Sequence, residues 1–315
     1  MSKFPEIDIS KVRTISIKDR ASKVEISKFA KPYTQGMSLR DFLTTLPNIL
    51  KGEELRELVD LIIAGHRHQK PLIWMMGAHV IKCGLSPVVI DLIKRRVITA
   101  VAFNGAGAIH DIELAYFGQT SEDVATNLND GTFGMARETG EILNDTVKLD
   151  NEPELGFGEI LGKKIQADQP EFAEFSILVN AYRLDVPVTV HVGIGTDIVH
   201  QQPNADGAAI GARSLRDFRI LAQVITHLND GGVVLNFGST VILPEVFLKA
   251  LTVARNLKPD LSGFVTANFD MIQHYRPWVN VVLRPTAKGG KGFQFTGHHE
   301  LLLPLLAAAI IERLS

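Results

Sequence analysis

From Pro71 onward, short unbroken apolar runs alternate with longer stretches in which apolar residues return every three or four positions. The runs Pro71–Gly77, Val97–Phe103, Pro187–Val192, Gly232–Asn236, Gly263–Ala267 and Val279–Leu283 carry many β-branched residues and no polar alternation. That is the pattern of strands buried on both faces of a parallel sheet. Between them the helical period predicts helices at Ser86–Arg96, Glu122–Leu149 (split at Gly131), Glu171–Leu184, Ala208–Leu228 and Pro244–Asn256. A closing helix at His298–Leu314 is apolar on nearly every side and is expected to be buried. The Gly-rich stretch Pro153–Asp168 predicts no element. Strands separated by helices imply right-handed crossovers. The expected fold is therefore α/β, a Rossmann-like parallel sheet of about six strands with helices on both faces.

The first 70 residues read differently. Residues 1–35 form a mixed, polar arm with strand-like pieces at Val12–Ile17 and Val24–Ile26. Ser38 with Asp41 three residues on predicts a helix start, and Glu53–His66 carries Leu55, Leu58, Leu61 and Ile62 on one face. His66 and His68 at the end of that helix suit its dipole. With no repeat or linker beyond the arm, residues 36–315 are expected to form a single domain. The formal net charge of −2 gives no electrostatic reason to expect nucleic acid or an anionic membrane as partner. A single cysteine, Cys83, excludes an internal disulfide and fits a reducing cytoplasm. The charged N-terminus shows no signal peptide, and the longest apolar stretch, Leu301–Ile311, is too short to cross a bilayer. A cytoplasmic protein is expected.

Candidate chemistry gathers at the predicted strand ends, where ligands of open α/β sheets bind. Those ends read Met76-Gly77-Ala78-His79, Asn104-Gly105-Ala106-Gly107, His191 through Asp197, Asn236-Phe237-Gly238-Ser239-Thr240, Thr266-Ala267-Asn268-Phe269-Asp270, and Arg284 through Gly292. Their small and hydrogen-bonding residues suit a nucleotide crevice. Gly77, Asn104, Gly105, Gly107, Asn236, Gly238, Ser239, Asn268, His298 and His299 are the candidate cofactor contacts. No complete G-x-G-x-x-G and no P-loop is present. The histidines at this edge, with His191-x5-Asp197-x2-His200 as possible ligand spacing, raise a metal-dependent hydrolase or lyase as an alternative. Isolated loop histidines more often hydrogen-bond backbone, so no metal ligands are assigned. Lys288 and Lys291 in the last Gly-rich loop are read as possible clamps for phosphate or carboxylate. Asp111, after the second turn, is expected to stay ionised at a helix start and either pair with a cationic amine or serve as an ordinary cap.

The segments LIWMMGAHVIKCGLSPVVIDLIKRRVITAVAFNGAGAIHDIEL, PVTVHVGIGTD, GGVVLNFGSTVILPEVFLKAL, GFVTANFD and GHHELLLPLLAAAII, from Leu72 to Ile311, resemble the deoxyhypusine synthases. The resemblance implies a Rossmann-like domain, an NAD cofactor, a homotetramer, and transfer of a spermidine aminobutyl group to a protein lysine. The family's imine-forming lysine follows its Gly-rich strand end, where this chain has Ser239-Thr240-Val241-Ile242. Its two acidic residues near the second strand match His110 and Asp111, and its Asp-Ala at the last helix matches His298-His299. The expectation is a diverged homologue, not a true deoxyhypusine synthase. It would be an NAD-dependent transferase acting on a polyamine or other small amine, with His110, Asp111 and Asp197 as acid–base groups. A non-catalytic binding protein that kept the fold is the third possibility.

Overall fold

The computed structural model describes residues 3–149 and 152–314. The first two residues of the expected arm lie outside them. The chain divides into two compact units, Met1–Glu54 and Leu55–Ser315.

In the first unit the strand-like pieces form no strand. Ile15 and Ile17 stand 74% and 71% exposed, and alternation without a partner strand does not make a sheet. A single 3-10 turn occurs at Ile26–Lys28. Helix α1 (Leu39–Thr45) starts where the sequence indicated, with the Ser38 hydroxyl accepting from the Asp41 N–H. Helix α2 (Leu50–Arg67) spans the division between the units, and its part in the second unit buries Leu58, Val59, Ile62 and Ile63 on one stripe.

The second unit is built on one six-stranded parallel sheet in the order β3-β2-β1-β4-β5-β6. The strands are β1 (Leu72–Met76), β2 (Ala100–Asn104), β3 (Val188–His191), β4 (Val233–Phe237), β5 (Val265–Asp270) and β6 (Lys291–Thr296). This order is that of two mononucleotide-binding halves meeting between β1 and β4. The intervening helices, in chain order, are α3 (His79–Lys82), α4 (Ser86–Lys94), α5 (Gly105–Phe117), α6 (Val124–Asp130), α7 (Arg137–Gly140), α8 (Phe157–Asp168), α9 (Ile177–Arg183), α10 (Gly207–Ile225), α11 (Ile242–Leu257), α12 (Tyr275–Pro277), α13 (Arg284–Thr286) and α14 (His299–Ile311). Strand interiors are wholly buried from β1 to β5, as unbroken Val/Ile/Leu runs require. Among the described residues no helix is long and apolar enough to cross a membrane.

Three expectations need correction. Val279–Leu283 is not a strand: it lies in a π-helical turn, Trp278–Leu283, between α12 and α13. A five-residue apolar run reads alike in a buried helix and a buried strand. The sixth strand is a segment twelve residues further on, KGFQFT, an edge strand whose Phe293 and Phe295 alone are buried. Pro153–Asp168 contains the full helix α8, disguised by glycines that serve as packing notches. A Cβ on Gly158 would stand 2.0 Å from the Val188 carbonyl oxygen, and one on Gly162 would stand 2.9 Å from that of Leu178. Helix α14 is buried along one side only, through Leu303, Leu306, Ala307, Ala309 and Ile310, while Leu301 is exposed.

Candidate functional site

Moving β6 forward by twelve residues changes which turns meet at the carboxyl edge. Arg284–Gly292 now lies at the amino end of β6. There Lys288 donates to the Pro259 carbonyl and Lys291 pairs with Glu57. Neither lysine belongs to the crevice. Its sixth turn is Gly297-His298-His299, which brings the start of α14 against the turn after β4.

At the switch point the turns after β1, β4 and β6 are close-packed. A Cβ on Gly77 would stand 2.8 Å from the Gly238 carbonyl oxygen. Gly238 has φ +64°, and a Cβ there would stand 2.6 Å from His299 Cε1. These two glycines let backbone meet backbone and imidazole. Just below, Trp74, Phe237, Phe269 and Phe295 stack across β1, β4, β5 and β6 with ring centroids 4.3, 4.5 and 4.8 Å apart. Strand alternation puts Asn236 and Asn268, in register with each other, on the opposite face. The Asn236 amide donates to Asn268 Oδ1 at 2.7 Å and to the Ser239 carbonyl at 3.0 Å. The Asn268 amide in turn donates to Gln273 Oε1 at 2.8 Å.

These bonds leave a set of buried atoms without partners. The Nε2–H of His299 donates to the Phe269 carbonyl at 3.1 Å, so its Nδ1 is a bare acceptor. Asn236 Oδ1 has no donor, and Asp270 accepts from the Met271 N–H through Oδ1 but through Oδ2 from nothing. Asp197 Oδ2 is also without one, as are Trp74 Nε1, Ser86 Oγ, Asn144 Oδ1 and Thr266 Oγ1. Buried polar atoms in folded proteins are nearly always paired, so each exception calls for an explanation. The four at the strand ends are acceptors, whereas Trp74 Nε1, on β1, is a donor.

Asp197 reaches the edge from the turn after β3. Its carboxylate lies against Gly105, where a Cβ would stand 1.9 Å from Oδ2, and it accepts from the Ala106 N–H at the start of α5. Burial pushes its carboxyl up to about 6, with the Ala106 N–H opposing the rise. His200 Nε2 is 3.9 Å from Oδ2, too far for a hydrogen bond. Its Nδ1 instead accepts the N–H groups of Gly195 and Asp197, and burial pushes its pKa down. Asn104 Oδ1 accepts from the Gly107 N–H at 2.9 Å. The first amides of α5 therefore face the chain's own acceptors.

The remaining acid–base candidates separate along α5. His110 Nδ1 is 2.5 Å from Thr120 Oγ1 and 3.6 Å from Glu113. Burial raises the Glu113 carboxyl, but the His110 ring beside it and hydrogen bonds from Thr120 and Thr139 outweigh it and hold the group below its usual range. Asp111 is fully buried, and it accepts from Ser176 Oγ at 2.5 Å and from the N–H groups of Ile177 and Leu178 at 2.7 and 3.1 Å. It caps α9 rather than its own helix, with burial pushing its carboxyl up to about 6. Asp217, missed in the sequence, does the same for α8. Its carboxylate accepts from the N–H groups of Phe157 and Gly158 at 3.0 Å and of Val190 at 2.6 Å, with burial pushing it up to about 7. Its position on the stripe Ile210, Arg213, Asp217, Leu221 was the available signal.

The spacing His191-x5-Asp197-x2-His200 does not assemble as a ligand set. His191 is buried beside Thr189 Oγ1 at 2.9 Å, and burial pushes its pKa down to about 3. His298 is exposed, its Nδ1 3.7 Å from Glu300. A cavity of about 690 Å³ lined by Gly158, Tyr182, Arg183 and Pro187 opens at the amino end of β3. None of the unpartnered acceptors lines it, so the chemistry points to the carboxyl edge.

No family model matches the sequence, and no curated protein matches it. Solved structures share the fold. A conserved protein described as LOR/SDH from Methanococcus maripaludis is 14% identical, with a TM-score of 0.52 over 89% of this chain and 72% of that one. A protein described as a deoxyhypusine synthase from Entamoeba histolytica is 9% identical, with a TM-score of 0.51 over 90% and 96%. AgrE, solved in complex with ornithine and NAD+, is 13% identical, with a TM-score of 0.52 over 83% of this chain. The present chain spans about one third of the AgrE chain, 33%.

Proposed function

We propose that the carboxyl edge binds NAD and a small amine, and that the protein is an NAD-dependent enzyme of the amine-transferring kind without the lysine of the deoxyhypusine synthases. The observation that carries this reading is the group of four buried, unpaired acceptors at the strand ends, Asp197 Oδ2, Asn236 Oδ1, Asp270 Oδ2 and His299 Nδ1. Acceptors buried without donors suit a ligand rich in N–H and O–H groups: an ammonium, a carboxamide, a ribose. The fold's likeness to AgrE, which was solved with ornithine and NAD+, agrees with both ligands.

The cofactor fits the β4–β6 side. Asn236, Asn268, His299 and the Gly238-Ser239 turn would hold it, with Gly77 and His298 flanking, while Gly105 and the Ala106 N–H seat Asp197, and Asn104 holds the Gly107 N–H. NAD would supply hydride transfer there. Asp197, with its carboxyl near 6, can take and return a proton close to neutral pH. His110, steadied by Glu113 and Thr120, would be a second proton carrier. Asp111 has both oxygens bonded by Ser176, Ile177 and Leu178 and is left to structure.

Calorimetry with NADH, followed by thermal-shift titration with spermidine and putrescine, tests the reading. Heat on NADH addition and a shift with a diamine are expected. No heat and no shift at millimolar NADH would remove the cofactor half of it. Borohydride should trap no imine with spermidine, because no lysine occurs in the turns Gly77–His79, Asn104–Gly107, Val192–Asp197, Gly238–Thr240 or Gly297–His299. A trapped adduct would refute that, and its peptide would identify the lysine.

A further inference from the structure

We infer that His79, Cys83 and Glu300 form a binding site for one zinc-class divalent metal ion at the carboxyl edge of the sheet. His79 and Cys83 are four residues apart on one helical turn after β1, and Glu300 lies in the first turn of α14 after β6. The site exists only because the chain returns β6 next to β5 and drops α14 beside the turn after β1.

Ligand atoms from the three residues lie within 4.8 Å of one another. Cys83 Sγ is 3.3 Å from His79 Nε2 and 3.7 Å from Glu300 Oε2. A tetrahedral zinc with ordinary Zn–S, Zn–N and Zn–O bonds puts its ligand atoms about 3.5 Å apart. The three donors therefore stand close to their ligating separations already. One thiolate, one imidazole and one carboxylate suit zinc or cobalt over magnesium or calcium, which demand oxygen. Three protein ligands leave the fourth position to water, the arrangement of open zinc sites.

The surroundings favour a held metal. The His299 ring, 1% exposed, lies 5.5 Å from that of His79, and its own Nδ1 has no partner. His79 is half-buried and Cys83 intermediate in exposure, so an ion has a path in. Binding would convert the Cys83 thiol to a thiolate, its proton passing to buffer as the Zn–S bond forms. Neither NAD nor an amine is needed.

The test is cobalt substitution of the full chain. Protein stripped with chelating resin and refilled with Co²⁺ should retain one cobalt per chain after dialysis and show a thiolate-to-cobalt charge-transfer band in the near ultraviolet. Cys83→Ser should abolish the band. Glu300→Gln, at an exposed position, should weaken Zn²⁺ binding at least about tenfold. His79→Ala should also lose stoichiometric metal, with far-ultraviolet circular dichroism confirming its fold. No retained cobalt in the wild-type chain, or a charge-transfer band undiminished in Cys83→Ser, would overturn the assignment. NADH calorimetry on the metal-free chain reports separately on the cofactor, so loss of one binding activity is distinguishable from loss of the other.

Discussion

Asp217→Ala should destabilise the fold by about 4 kcal/mol, a fall in melting temperature on the order of 10 °C. The side chain sits in α10, yet its carboxylate accepts the N–H groups of Phe157, Gly158 and Val190. It thereby ties the start of α8 and strand β3 to a third element. Alanine would leave three buried donors with no acceptor and a void beside Gly156, whose absent Cβ makes room for Asp217 Oδ1. Asp111→Ala should cost a similar amount through Ser176, Ile177 and Leu178. The control is Asp206→Ala, which removes an exposed cap from the Ala208 and Ala209 N–H groups and should cost about 1 kcal/mol. Melting curves of the three variants at pH 5, below the raised pKa values of Asp217 and Asp111, decide the matter. If Asp217→Ala melts no lower than Asp206→Ala, the buried carboxylate is not holding these elements together.

Asp197→Asn should make the protein more stable near pH 7.5 and poorer at binding an amine. Burial raises the native carboxyl from 3.8 to about 6. The native state therefore holds a proton more tightly than the unfolded chain. That contribution is fully present below pH 3.8 and is lost as pH rises through about 6. Above that, the ionised group costs up to about 3 kcal/mol. Asparagine removes the charge and keeps an oxygen for the Ala106 N–H. The stability difference between variant and wild type should thus be near zero at pH 4 and grow to its maximum above pH 6. His200, the titratable neighbour, keeps its backbone bonds in either protein. Amine binding by the wild type should strengthen as pH rises through 6, and the variant should lack that rise. A stability difference that does not change between pH 4 and pH 7.5 would show that Asp197 titrates with an ordinary pKa.

Five of the six strands, most long helices and the Ser38 cap were legible in the sequence. The reason is local: a strand buried on both faces must be apolar without interruption, and a cap must sit next to the helix it caps. Gly77, Gly238, Asn236, Asp197 and His299 stood out because strand ends in a parallel sheet all point to one edge. The tertiary structure decided the rest. Whether VNVVL or GFQF became the sixth strand depended on which run the edge of β5 would accept, and that choice moved Lys288 and Lys291 off the site and brought His299 onto it. Glycines that hid α8 are explained only by the strand and helix they touch. The roles of Asp111 and Asp217 depend on donors about sixty residues away in the chain. Cys83 and Glu300, separated by 217 positions, become neighbours only where the last crossover sets α14 down beside the first turn. Sequence periodicity reports which face of an element is buried; which element it is buried against follows from the packing of the whole sheet.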